Sequence, residues 1–172
     1  MGPFQPARTA FERDDAVGTR TLEPYLAEHP LFRDLNSEYL TLLTECASNV
    51  RFAKGERIFR QSEAADRCYL IRHGMVSLEI WSPPQGPLTI QTLGPGEVLG
   101  WSWLFPPYKW HFDARAMEMT RAVALDGKCL RGKCDQDSKL GYELMKRFSA
   151  LIHERMQAAR LQIMDIYGPT SA

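Results

Sequence analysis

The stretch LGPGEVLGWSWLFPPYKWHFDARA, Leu93 to Ala116, places a glycine turn, three tryptophans and a strand-like tail in immediate succession. Pro95, Gly96 and Glu97 mark a turn, because glycine supplies backbone angles that other residues avoid. Val98 and Leu99 follow as a short apolar run closed by Gly100. In the tail, His111, Asp113 and Arg115 alternate with Phe112, Ala114 and Ala116, the period of a strand with one polar and one apolar face. The segment has the make-up of a pocket for a small anionic or planar ligand. Its candidate lining is Gly96, Glu97, Val98, Leu99, Gly100, Trp101 and Ser102, with Trp110, His111 and Arg115 from the far end. Indole faces suit a planar ligand, and a guanidinium suits an anion.

Working outward, the residues before this stretch read as short β-rich runs. NVRFAKGERIFRQSEAADRCYLIRHGMVSLEIW carries turn signals at Lys54–Gly55, Ala64–Asp66 and His73–Gly74, and SPPQGP at residues 82–87 is a hairpin loop followed by LTIQTL. After it, TRAVALDG supplies one more strand. Evenly spaced short strands of this kind predict a closed or sandwiched antiparallel unit. Further upstream, Leu40, Leu43 and Ala47 fall at helical spacing, with Asn36 or Ser37 placed to cap the start.

From Ser138 the period changes. Met145, Phe148, Ile152, Met156, Ala159, Ile163 and Ile166 recur every three or four residues, with Lys146, Arg147, Glu154, Arg155 and Arg160 between them. The pattern predicts one helix of about 28 residues, roughly 42 Å, ended near Gly168–Pro169. Such a helix is longer than a small barrel needs for cover. Met145, Phe148, Ile152, Met156, Ala159 and Ile163 are therefore the expected dimer face.

The chain of 172 residues has 21 basic and 21 acidic side chains, so no net field draws it to nucleic acid or an anionic membrane. It lacks both a secretory leader pattern and a run long and apolar enough to span a bilayer, which makes the cytoplasm the expected location. Cys46, Cys68, Cys129 and Cys134 form no CxxC pair and are expected to be reduced, mostly buried thiols without a metal. No H-x-H pair and no G-x-S-x-G motif is present, so neither cupin-type metal chemistry nor a hydrolase nucleophile is indicated, and the chain is not expected to be an enzyme.

Taken in order, HPLFRDL, FAKGERIFRQSEAADRCYLIRHGMVSL and LGPGEVLG resemble the cyclic-nucleotide-binding domain of catabolite-activator and Fnr-like regulators, protein kinase A regulatory subunits and gated channels. The resemblance covers residues 29–167. It implies an eight-stranded antiparallel jelly roll, a double-stranded β-helix, with N-terminal helices and a long C-terminal helix. Family glycines match Gly55 and Gly74, and core positions match Ile58, Tyr69, Ile71 and Val76; the glycine usual in the Q-G-E turn is Ser62 here. The family's phosphate-binding cassette, P-G-D-x-F-G-E-x-A-L followed nine or ten residues later by R-x-A-T-V, falls on Pro95–Gly96–Glu97 and Leu99–Gly100. It then puts Trp101 on the ribose-binding Glu and Trp110 on the phosphate-binding Arg. Losing two charge-assisted contacts of about 1.5–3 kcal/mol each weakens binding by some hundred- to ten-thousand-fold. A shifted register would use Glu97 and Arg115 instead. The indoles of Trp101, Trp103 and Trp110 either fill the vacated pocket or offer stacking surfaces.

The resulting organisation is a flexible arm at 1–20, the jelly roll with its N-terminal helices at 21–137, a dimerisation helix at 138–167 and a tail at 168–172. In the regulators it resembles, the long helix leads into a helix-turn-helix, and here too few residues follow to form one, so no direct DNA binding is expected. The expectation is a regulatory or sensor module, homodimeric through the long helix, with a protein partner as a further possibility. It has no cofactor, and weak binding of a cyclic nucleotide or of another small planar or anionic ligand stays open. The alternatives are a true cAMP or cGMP binder using Glu97 and Arg115, and a structural subunit of a larger complex.

Overall fold

The computed structural model describes residues 22–168. The arm at 1–20 and the last residues of the tail lie outside that range. Two short helices open the described chain, α1 (Glu23–Glu28) and α2 (Ser37–Thr44), with a 3-10 turn at Pro30–Phe32 between them. Asn36 caps α2 by accepting the Glu38 N–H at 2.8 Å. Ala47, expected to continue this helix, instead begins β1 (Ala47–Phe52): α2 stops at Thr44, and from Ala47 the backbone groups pair with a strand.

Seven further strands follow: β2 (Arg57–Phe59), β3 (Arg67–His73), β4 (Val76–Ser82), β5 (Gly86–Leu93), β6 (Val98–Leu99), β7 (Asp113–Ala116) and β8 (Thr120–Asp126). They form two four-stranded antiparallel sheets, in the orders β1-β8-β3-β6 and β2-β7-β4-β5. This is the expected jelly roll. SPPQGP turns β4 into β5, with Ser82 opposite Gly86.

The inner strands of the first sheet, β3 and β8, are buried on both faces, and the runs CYLI and AVAL show why. In β3, Tyr69 and Ile71 face the inter-sheet core while Cys68 and Leu70 face the helices; in β8, Ala122 and Ala124 face inward while Val123 and Leu125 face outward. Small alanines inside and branched residues outside match a narrow roll under a thicker helical layer. That outer layer comprises α1, α2, α3 (Gly127–Gln136) and α4 (Ser138–Tyr167), packed through Leu26, Phe32, Leu43, Leu130, Leu140, Leu144 and Phe148.

Two expectations are corrected here. Cys46 and Cys129 are not free thiols; they form a disulfide that ties the entry of β1 to α3 across 83 residues, leaving Cys68 and Cys134 free. Phe148 does not belong to an outward dimer face. It is 1% exposed and meets the Trp103 ring edge-on at 5.3 Å. Helix α4 carries two stripes side by side: Leu140, Leu144, Phe148 and Leu151 pack inward, while Met145, Met156 and Ile163 stay exposed and Ile152 is half-buried. Beyond Arg155 the described side chains of α4 are all solvent-exposed. Among the described residues no helix is long and apolar enough to cross a membrane.

Candidate functional site

The loop between β5 and β6 is stitched to the end of β3. Gly96 donates its N–H to the Ile71 carbonyl at 2.8 Å, and Ile71 returns one to Glu97 at 3.0 Å. The Glu97 carboxylate accepts the Gly94 N–H at 2.7 Å, so it closes the turn. Val98 and Leu99 then pair with Leu70 and Tyr69, Val98 facing the helices and Leu99 the roll interior.

Gly100 follows at φ +87°, and its bare Cα lies directly against an indole. A Cβ there would stand 2.5 Å from Cζ3 and 2.6 Å from Cη2 of Trp110. Only glycine permits both this angle and this approach. Trp110 is 4% exposed and stacks on Phe59, ring centres 3.8 Å apart and planes 7° from parallel. Its backbone is pinned as well: it donates to the Glu63 carbonyl at 3.0 Å and accepts the Ser62 N–H at 2.8 Å. Ser62 holds φ +71°, an angle that favours glycine.

The three loop tryptophans do not share one space. Trp110 alone joins the inter-sheet core. Trp103, in the 3-10 turn Ser102–Leu104, is fully buried in the helical layer, where its carbonyl accepts Arg131 Nη1 at 2.6 Å. Trp101 packs against the same helical layer, and the Arg155 guanidinium lies 4.9 Å above its ring. Arg155 also donates to the Val98 carbonyl. Burial holds the guanidinium below its ordinary pKa, the Glu97 carboxylate opposing that shift, and the charge is retained. Near the same arginine, burial pushes the Cys68 thiol up to about 12, so it is no nucleophile.

The second register fares differently. Arg115 lies half-buried on the face of β7 opposite Ala114 and Ala116, which are fully buried, Ala114 within the inter-sheet core. There Arg115 Nε is 3.5 Å from Glu79, and Nη1 donates to the Gly55 carbonyl at 2.9 Å. Asp113 shares that face; it accepts the Gln61 N–H at 2.8 Å and lies 3.9 Å from Arg57. His111 precedes the strand and is exposed. The structure therefore brings Leu99, Gly100 and Trp110 together, sets Trp101 against α4, and leaves His111, Asp113 and Arg115 apart from both.

The cyclic nucleotide-binding domain model matches residues 49–137, from β1 through α3. The chain belongs to this family. A curated relative, the CRP-like cAMP-activated global transcriptional regulator of Mycobacterium tuberculosis, is 24% identical over 125 residues, 73% of this chain. The chain spans 56%, about half, of that relative's length. Among solved structures, a candidate cyclic nucleotide-binding protein from Geobacter metallireducens superposes with a TM-score of 0.71 at 28% identity, covering 78% of this chain and 97% of that one. The catabolite activator protein of Thermus thermophilus superposes at 0.64 with 25% identity, over 80% and 63% of the two chains.

The contacts that Arg155 and Phe59 make with the tryptophans of this cyclic nucleotide-binding fold went unrecognised in the sequence, where Arg155 was read only as part of the polar face of α4. Arg155 carried a usable signal: it continues the inward stripe Leu144, Phe148, Leu151, and a charge on a buried stripe needs a partner. Phe59 carried none, since a strand phenylalanine is ordinary core.

Proposed function

We propose that this domain is a regulatory module whose roll is filled by its own Trp110, so that cAMP and cGMP bind at best in the high micromolar to millimolar range. The observation that carries the reading is the Trp110 indole lying against Gly100 and stacked on Phe59, at the position the resemblance gives to the phosphate-binding arginine. A phosphate entering there loses its hydration and finds an apolar ring in place of a guanidinium fork. Arg115 is no substitute while it is engaged by Glu79 and Gly55. Arg155 ties α4 to the cassette segment through Trp101 and Val98. Output then runs through a homodimer formed by the outer stripe of α4, Met145, Ile152, Met156, Ala159 and Ile163, rather than through catalysis.

Isothermal titration of the purified protein with both nucleotides tests the first part. The expected result is no submicromolar binding, with or without Arg115→Ala; submicromolar affinity that disappears in Arg115→Ala establishes the nucleotide-sensor alternative instead. Light scattering tests the second part. The wild type is expected to be a dimer and Met156→Asp/Ile163→Asp a monomer with unchanged circular dichroism. A monomeric wild type defeats the dimer reading.

A further inference from the structure

Sheet β1-β8-β3-β6 carries basic side chains in a row on its outer face. Arg121 of β8 shares that face with Val123 and Leu125, and it stands directly opposite Arg51 of β1 on one side and His73 of β3 on the other. All three are exposed. Arg72 joins them: it falls in the register shift between Ile71 and His73, is exposed, and sends Nη1 to Oδ1 of Asn49 on β1 at 3.4 Å. Asn49 is paired with Val123, so the Arg72 side chain spans β8. Its guanidinium also lies 4.5 Å from the centre of the Tyr25 ring of α1. Opposed side chains on neighbouring strands have Cβ atoms about 4.5–5.5 Å apart, which confines the four basic groups to a patch roughly 10–15 Å across.

Like charges facing each other across a ladder destabilise it. A single basic residue on an edge strand such as β1 guards against unwanted pairing, but that reason does not extend to Arg121 on the interior strand β8. Among the described residues, none of the four basic groups forms an ion pair. The carboxylates of adjoining elements do not neutralise them: Glu23 accepts from Thr41 Oγ1, Glu97 accepts the Gly94 N–H, and Glu28 and Glu118 are exposed. A local rule broken without compensation points to an occupant of opposite charge. The chain supplies one ahead of α1. Glu12, Asp14 and Asp15 set three carboxylates against the single guanidinium of Arg13, with Arg8 and Arg20 standing four and five residues outside that cluster. From Asp15 to Leu22 the chain reaches up to about 23–25 Å, more than the breadth of the patch, and it leads into the helix whose Tyr25 lies under Arg72. So short a tether gives an effective concentration on the order of millimolar, at which weak exposed ion pairs suffice. A foreign polyanion has no such advantage, because 21 basic and 21 acidic side chains leave no net field to draw it in.

We propose that the acidic segment Glu12–Asp15 docks within its own chain on the face formed by Arg51, Arg72, His73 and Arg121, and holds that face against acidic partners. The proposal is independent of whether Trp110 excludes nucleotides. A nitroxide placed at Ala10→Cys in the full chain, with Cys134→Ser so that only the buried Cys68 remains as a free native thiol, reports the contact by nuclear magnetic resonance. The amide signals of Arg51, His73 and Arg121 are expected to broaden selectively in dilute buffer and to recover in about 1 M salt, where the screening length is about 3 Å. Arg51→Glu/Arg121→Glu is expected to abolish the broadening, and adding Glu12→Arg/Asp14→Arg to restore it, an exchange that a merely structural effect would not reverse. By calorimetry, poly-L-glutamate is expected to bind Glu12→Gln/Asp14→Asn/Asp15→Asn at least about tenfold more tightly than the wild type, since the tethered competitor is gone. No selective broadening in the wild type overturns the proposal, as does undiminished broadening in a folded Arg51→Glu/Arg121→Glu protein. Broadening confined to mixtures in which label and isotope sit on different chains assigns the face to a second copy instead. Equal affinity of poly-L-glutamate for the wild type and the neutralised arm shows a face open to foreign acidic partners, and overturns it too.

Discussion

Replacing Gly100 by alanine tests whether Trp110 fills the roll in the way described. Two costs fall on that methyl group. Holding alanine at φ +87° costs about 1–2 kcal/mol, since L-residues resist the left-handed region. Forcing Cβ to 2.5 Å from the Trp110 ring adds about 1–3 kcal/mol, because the indole is clamped between Gly100 and Phe59 and cannot retreat. Trp110→Ala alone empties a buried site and is expected to cost about 3–5 kcal/mol. In the double variant the clash has no second partner, so only the backbone term of Gly100→Ala survives. The double variant is then more stable than the sum of the singles by about 1–3 kcal/mol. Urea unfolding followed by far-ultraviolet circular dichroism measures all four corners of the cycle without depending on the indole that is removed. Additivity within about 0.5 kcal/mol refutes the contact and with it the self-filled roll.

Three further outcomes follow from particular groups. Breaking the Cys46–Cys129 bond, by reductant or as Cys46→Ser/Cys129→Ser, is expected to lower stability by about 2–4 kcal/mol, and thiol titration of the unfolded, unreduced protein should find only Cys68 and Cys134. His29 has a folded pKa of about 4 against an unfolded value of 6.5, so the unfolded chain takes up its proton first as pH falls. Stability is complete above pH 6.5 and declines toward pH 4 by an amount of order 3 kcal/mol; His29→Asn, which keeps an acceptor for the Leu31 N–H, should flatten that slope in urea midpoints. Ser62→Gly relieves a left-handed residue and should raise stability by about 0.5–1 kcal/mol after the entropy of glycine is subtracted, visible as a melting temperature a few degrees higher.

The roll was legible because its turns carry their own chemistry: Gly55 and Gly74 occupy positive φ, and SPPQGP closes a hairpin. Helix α4 was legible from its period. Helix α3 was not, since GKCLRGKCDQ holds two glycines and only Leu130 as a large buried apolar side chain; docking and the Asp126 cap, which accepts the Cys129 N–H, make it a helix. Periodicity also fails to separate two adjacent stripes on α4, which is how Phe148 came to be grouped with Met145 and Met156. The three tryptophans were grouped by nearness in sequence. The left-handed turn at Gly100 and the short 3-10 turn after it send them into different layers. Nothing in the sequence links Cys46 to Cys129, because a pairing 83 residues apart leaves no local pattern.

The Trp110 stack on Phe59 also bears on how steadily the protein persists. A domain that relies on a dissolved ligand to complete its core gains stability as RT ln(1 + [L]/Kd), so its folded fraction rises and falls with supply. In the proposed self-filled roll the occupant is part of the polypeptide, present at fixed stoichiometry and unable to diffuse away. On the proposed reading, the population of folded domain, and hence its resistance to proteolysis, stays level while nucleotide pools fluctuate.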